Sequence, residues 1–325
     1  METLRCYVTG GSGHLGANLV RQLLHSGHEV KCLVRKDTRA LDGLDVELCT
    51  GSLQSLDEMA SNMRGNDVVI HSAGFVAVEK SNINIMEKIN VDGTRIMAQA
   101  ALQENVDKFI HISSVHAFQQ RPTKETLNEN RPLVSSTKAA PYDRTKAAGQ
   151  REILNAVGNG LDATILHPTG ILGPYDWKPS RMGQVLLDIS KGKMPFSINN
   201  GFNWVDARDV STTCISAINN GRCGQNYIVP GSWNSMKEIA TMCGKKPILT
   251  LPFWTAYLAL PFAGVKSVIT KKRPSVSRGS LHALAVQCRD IPGTLAREEL
   301  GHFNRPLSET INDSISWFKA QNRLG

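Results

Sequence analysis

No two of the seven cysteines, at positions 6, 32, 49, 214, 223, 243 and 288, stand in a CxxC spacing. That absence argues against a zinc ribbon or a dithiol redox site. Several of the cysteines lie inside apolar runs, where a reduced thiol acts as a small hydrophobe. A reducing compartment and no metal site are therefore expected. An aromatic-interleaved basic stripe is missing too. The net charge is +8, but Lys and Arg are dispersed, the densest run being Lys271-Lys272-Arg273, so nucleic acid is not an expected partner. An anionic small ligand fits the charge equally well. The opening METLRCYVTG enters a strand at once and leaves no room for a signal peptide, so a cytoplasmic protein is expected. Internal repeats and low-complexity tracts are absent. Residues 248–269 are long and apolar, but Pro252 and Pro261 divide them. They read as a buried or cleft-lining helix of a soluble lobe, with a peripheral membrane contact as the alternative; no integral membrane segment is expected.

What is present is an alternation. Short β-branched runs (RCYVT, EVKCLV, VELC, DVVIHSA, KFIHISS, DATILHP) are separated by helical stretches over 14–26, 53–63, 81–104 and 141–157. Strands alternating with helices predict an α/β fold with a doubly wound parallel sheet of the Rossmann type. After residue 170 the rhythm breaks in GILGPYDWKPSRMG. The expected division is a dinucleotide-binding domain over 1–170, with 203–228 returning to it. A smaller, discontinuous substrate lobe takes 171–202 and 229–325. With 325 residues, the chain can bury a full core.

The first strand ends in YVT, GGSG turns, and HLGANLVRQLLHSG reads as an amphipathic helix closed by Gly27. Gly10, Gly13 and Gly16 give the spacing GxxGxxG. Glycine permits a tight turn and lets backbone N–H groups and a helix N-terminus approach a pyrophosphate. The pattern follows a strand, opens a helix and is continued by a second strand, which is the context a dinucleotide site needs. At the end of that second strand an NAD site usually carries a carboxylate for the ribose hydroxyls. Here Arg35 stands there, with Lys36 next and Arg39 close by, and a guanidinium can bind a 2′-phosphate bidentately. NADP is the expected cofactor, and Asp37 keeps NAD open.

Binding a dinucleotide is not yet chemistry. Tyr142 and Lys146 are four residues apart at the start of a predicted helix and share one face. A cation beside a phenol favours the phenolate, so the pair predicts a tyrosine with a lowered pKa acting as acid or base. Read alone, such a pair is an ordinary surface feature. Ser113 and Ser114 end a buried strand on the carboxyl edge, where open α/β sheets bind ligands, although a serine there can also simply cap the strand.

Together these residues resemble the extended branch of the short-chain dehydrogenase/reductase family, the NAD-dependent epimerase/dehydratase family, and within it the dihydroflavonol reductase-like subgroup. TGGSGHLG matches its TGxxGxxG motif and YDRTK its YxxxK motif. INVDGT, LHPTGILGP and WVDARDV follow in the family's order, and LAREELGHFNRPLSETINDSISWF resembles its C-terminal close. The resemblance implies a catalytic triad of Ser114, Tyr142 and Lys146. Tyr142 would be the acid/base, Ser114 would orient the substrate oxygen, and Lys146 would hold the nicotinamide ribose and depress the tyrosine's pKa. It further implies cofactor contacts from Thr9, Gly10, Gly13, His14, Leu15, Gly16, Ser72 and Ala73. Asn90 would support the lysine, and Pro168 and Thr169 would face the nicotinamide. His116, Tyr175, Trp177, Arg181 and Trp204 would wall the substrate cleft, and a homodimer is an implied assembly.

Two family positions differ: Ser52 replaces the acidic residue near the adenine, and His167 replaces an arginine before the proline landmark. No carboxylate partner for His116 is evident, so a metal role for it is not expected. The expected activity is NADP(H)-dependent hydride transfer between a carbonyl and an alcohol on a small organic substrate. A nucleotide-sugar epimerase or dehydratase with a tightly held NAD(P), and a non-catalytic dinucleotide sensor, remain as alternatives.

Overall fold

The computed structural model describes residues 2–76, 82–260 and 278–324; the Lys271-Lys272-Arg273 run and residues 261–269 of the apolar stretch lie outside them. Seven parallel strands form the central sheet: β1 (Arg5–Thr9), β2 (Glu29–Val34), β3 (Glu47–Thr50), β4 (Val68–His71), β5 (Lys108–Ile112), β6 (Ala163–Pro168) and, much later in the chain, β10 (Asn226–Val229). Their order is β3-β2-β1-β4-β5-β6-β10, every pair parallel. The chain winds outward from β1 in one direction and from β4 in the other. The β1/β4 boundary is therefore the switch point, where loops diverge and leave a crevice.

Except at the exposed edge strand β3, the strands are buried on both faces, and their alternation sorts two cores. Cys6, Val8, Val68, Ile70, Ile110 and Ile112 face one side. There they meet helices α1 (His14–His25) and α7 (Ala207–Asn220). Tyr7, Val69 and Phe109 face the other and meet α2 (Leu56–Met63), α4 (Gly93–Gln103) and α5 (Pro141–Gly158). Between α3 (Ile83–Glu87) and α4 the helix widens into a π turn over Lys88–Asp92.

Beyond β6, three further strands, β7 (Gly170–Leu172), β9 (Gly201–Asp206) and β11 (Ser232–Ser235), form a small sheet, and β8 (Phe196–Ile198) pairs with β12 (Leu249–Leu251). A separate core gathers Leu172, Leu186, Leu187, Trp204, Ile311 and Phe318. Packing does not respect the expected division at residue 229, because Ala296 and Leu300 join the core of the central sheet. Asp206 ties the two regions. It caps α7 through the Arg208 N–H and, fully buried, pairs with Arg208 and Arg305. The WVDARDV landmark is thus a structural joint. Among the described residues, no helix is long and apolar enough to cross a membrane.

Candidate active site

The glycine loop leaves β1 at the switch point. Gly10 has φ +75°, a conformation that costs glycine nothing, and a Cβ on it would sit 2.7 Å from the Ala73 nitrogen at the end of β4. A Cβ on Gly16 would fall 2.1 Å from the Gly10 carbonyl oxygen. Both positions therefore require glycine for close backbone approach. Helix α1 starts after Gly13 with no side-chain cap and no acidic residue in its first turn. Its leading N–H groups are left for an external acceptor, which suits a pyrophosphate. The His14 ring lies 3.1 Å from the Gly173 carbonyl, and Asn18 donates to the Pro174 carbonyl, so the helix is clamped to the loop after β7.

Thr9 fixes the neighbouring crossover. Its hydroxyl accepts from the Ala73 N–H and lies 2.7 Å from His71 Nδ1, while the Ser72 N–H donates to the Thr9 carbonyl. At the tip of β2, Arg35 and Lys36 are exposed. Arg39 does not stand beside them as a third free cation: it grips Asp37 through two hydrogen bonds of 2.8 and 2.7 Å. Those bonds hold the Asp37 carboxyl down at about 2.

The triad residues converge from β5 and α5. Ser114 follows β5 and accepts the His116 N–H, capping a short turn over Val115–Ala117. That hydroxyl is close enough to Tyr142 to pull the phenol's pKa down. Ser113 faces elsewhere, buried and with an unpartnered hydroxyl. Lys146, one turn beyond Tyr142, is buried and donates to the Ile112 carbonyl at 2.9 Å. The expectation that Lys146 lowers the tyrosine's pKa is corrected here. Burial pushes the Tyr142 phenol up to about 12, against a smaller downward pull from Ser114. Burial also lowers Lys146 to about 8. Both groups are driven toward their neutral forms, because the site is dry and the ammonium is turned to a backbone carbonyl.

Asn90 sits in the π turn. Its amide accepts from the Phe75 N–H and donates to the Phe75 carbonyl and to Thr145. It binds the β4 loop to the helix that carries Tyr142 and Lys146. Gly74 lies between: a Cβ there would be 3.6 Å from Asn90 Oδ1 and 3.7 Å from Lys146 Nζ. Thr169, after Pro168 at the end of β6, donates to Asn203. His167, in the place of the family's arginine, packs against Phe118 and holds the Ser114 carbonyl at 3.0 Å. It props the serine from behind.

The five expected wall residues separate. His116 lies edge-on to Tyr142, with ring centroids 6.0 Å apart, and its Nδ1 is 3.2 Å from the Asp143 carboxylate. The carboxylate that sequence reasoning missed was adjacent to Tyr142 in the chain; only the turn after Ser114 reveals that His116 reaches it. Tyr175 lies beneath the Arg21 guanidinium at 4.1 Å, and with Trp177 it packs on Trp317. Arg181 opens α6 (Arg181–Ser190). Trp204 is a correction. It is buried in the second core, its indole N–H satisfied by the Asn234 carbonyl, and it has no face to offer a substrate. Among the described residues, no three His, Cys, Asp or Glu side chains are grouped to hold a metal ion.

Comparison with known proteins agrees with this fold. The chain is 29% identical over 326 residues to sterol demethylase protein B of Methylococcus capsulatus, covering 98% of this chain and 99% of that protein. It is 28% identical to a putative dihydroflavonol 4-reductase of Synechocystis, covering 96% and 94%. The crystal structure of a nucleoside-diphosphate-sugar epimerase from Pseudomonas aeruginosa superposes with a TM-score of 0.80 over 100% of both chains at 23% identity, a likeness of fold alone. The sequence model of the NAD dependent epimerase/dehydratase family matches residues 6–229. The chain belongs to that family, and is an NAD(P)-dependent oxidoreductase of the extended short-chain dehydrogenase/reductase type.

Proposed function

We propose that the protein interconverts a carbonyl and an alcohol on a largely apolar ring substrate, using NADP(H), with Tyr142 as acid/base. The observation that carries this reading is the meeting of the Ser114 turn with the first turns of α5. Ser114 caps the turn whose His116 ring lies 6.0 Å from the Tyr142 ring, Lys146 is anchored to the Ile112 carbonyl just before Ser113, and burial pushes the phenol up to about 12. At neutral pH the tyrosine holds its proton. It can therefore donate that proton to a carbonyl oxygen as the oxygen gains negative charge. Ser114 would hold the same oxygen by its hydroxyl. The bound dinucleotide supplies or accepts the hydride. Gly10, Gly13, Gly16 and the first turn of α1 would hold its pyrophosphate, with Asn90 and Lys146 beside its ribose.

NADP(H) over NAD(H) is supported by Arg35 and Lys36 at the tip of β2, and by Asp37 being committed to Arg39. A carboxylate already gripped twice is poorly placed to take ribose hydroxyls. The sterol and dihydroflavonol in the two relatives' names are fused-ring skeletons without a diphosphate, which supports a ring substrate over a sugar diphosphate. The test is to follow nicotinamide absorbance with a panel of cyclic ketones and separately with nucleotide-sugars. NADPH consumption on the ketones, abolished in Tyr142→Phe while cofactor still binds, is the expected result. Interconversion of a sugar pair without net cofactor consumption, and no ketone activity, would overturn it.

A further inference from the structure

The pair β8/β12 and the short helical stretch Phe253–Ala259 that follows it play no part in the site just described. Their register places Phe196 against Leu249, and the Ile248 N–H donates to the Pro195 carbonyl. On these two segments several large apolar side chains are left exposed. Ile248 is 77% exposed, Trp254 64% and Leu258 62%, with Met194, Phe196 and Leu249 also exposed. Single exposed hydrophobics are ordinary; six of them on two short segments joined through β8 and β12, one an outward tryptophan, mark a contact surface. The buried or cleft-lining helix expected over 248–269 is not what its described part forms: it is a strand and a short helical stretch with Ile248, Trp254 and Leu258 exposed.

The charge around this patch selects the partner. Lys191 and Lys193 precede Phe196, and Lys245 and Lys246 precede Ile248; all four are exposed. No Asp or Glu occurs between Asp188 and Asp206, nor between Glu238 and Asp290, although the second interval holds eight Lys and Arg. An apolar centre with an aromatic at its surface and a lysine rim without carboxylates is complementary to a bilayer interface carrying anionic headgroups. We propose that this face docks the protein on anionic lipid membranes, lying in the interface rather than spanning it. The patch would insert Trp254 and Leu258 while the four lysines meet headgroup phosphates.

The test uses the full chain and vesicles of phosphatidylcholine alone or mixed with phosphatidylglycerol, separated by flotation. Co-flotation with the mixed vesicles, weakened by salt, is expected. A Trp254→Ser, Leu258→Ser variant should lose about tenfold or more in partitioning, since each side chain removed is a large apolar group withdrawn from water. Both positions are exposed in the free protein, and circular dichroism should confirm that the variant is folded. If it is not, quenching of the unaltered protein's tryptophan fluorescence by brominated lipid decides the question, with quenching expected. No flotation, flotation unchanged in the folded variant, no quenching, or a variant that loses only self-association would each overturn the proposal.

Discussion

Gly149 offers a test of how the fold holds its site, because the same helix contains its own control. A Cβ at Gly149 would lie 2.1 Å from the Asn90 carbonyl oxygen, a backbone atom of the π turn that cannot swing aside. An ordinary contact needs about 3.5 Å, so Gly149→Ala should push α5 and the π turn apart by roughly 1 Å. Overpacking of this kind costs about 1–3 kcal/mol. The displacement falls where α5 carries Lys146 and Tyr142, and where Asn90 binds the Phe75 backbone. A shift of ~1 Å at reacting groups can lower a rate by about a hundredfold. Gly158, in the last turn of the same helix, has nothing within 4 Å of its virtual Cβ. Gly158→Ala should be neutral or stabilising by about 0.4–1 kcal/mol, through the unfolded chain. Urea unfolding and turnover, measured on both variants, should therefore move in opposite senses for stability and only for Gly149→Ala in rate. If Gly149→Ala unfolds and turns over like the unaltered protein, the close approach of α5 to the π turn does not exist as described.

Three further outcomes are expected. Arg35→Ala should weaken NADPH roughly ten- to a hundredfold, the loss of one charge-assisted phosphate contact of about 1.5–3 kcal/mol, and leave NADH nearly unchanged; equal titration of both cofactors by the unaltered protein would refute it. If Asp143 acts by holding His116 beside Tyr142, then His116→Ala, Asp143→Asn and the double variant should lower turnover by similar factors, and additive losses would show that the two act separately. Burial lowers His71 to about 3 and His167 to about 4, and holds His111 well below its ordinary value. The folded chain thus refuses protons that the unfolded chain accepts below about 6.5. Stability should be fully present above that pH and fall as pH drops below it, by up to about 1.4 kcal/mol per pH unit for each histidine. A urea midpoint that stays flat from neutral pH to pH ~5 would refute the burial of these rings as neutral groups.

Most of the sheet was legible because β1, β2, β4, β5 and β6 are buried apolar runs with β-branched residues and all but one of the connections out to β6 are helix-period stretches, patterns that leave few topologies. β3 is a largely exposed edge reached from β2 without a helix, and β10, so late in the chain, was not expected as a strand. Trp204 was misread for the opposite reason. A tryptophan beside a landmark is equally at home in a cleft or a core, and its placement depends on Leu172, Ile311 and Phe318, drawn from two distant segments. His116 was half legible. Its position two residues after Ser114 placed it near the site, but the Asp143 contact depends on how the turn after β5 meets the first turn of α5.

The Tyr142–Lys146 pair shows where spacing stops being informative. Four residues apart on a helix fixes a shared face, and from that a cation beside a phenol follows only if the ammonium has nothing nearer to bind. The Ile112 carbonyl takes it, at 2.9 Å. It belongs to β5, so no reading of α5 alone could supply it. Once the ammonium is turned away, burial is the dominant influence on both groups, and burial favours phenol over phenolate and amine over ammonium. The unliganded chain is therefore set with the proton on Tyr142, the state that the proposed carbonyl reduction would consume and alcohol oxidation would first have to lose.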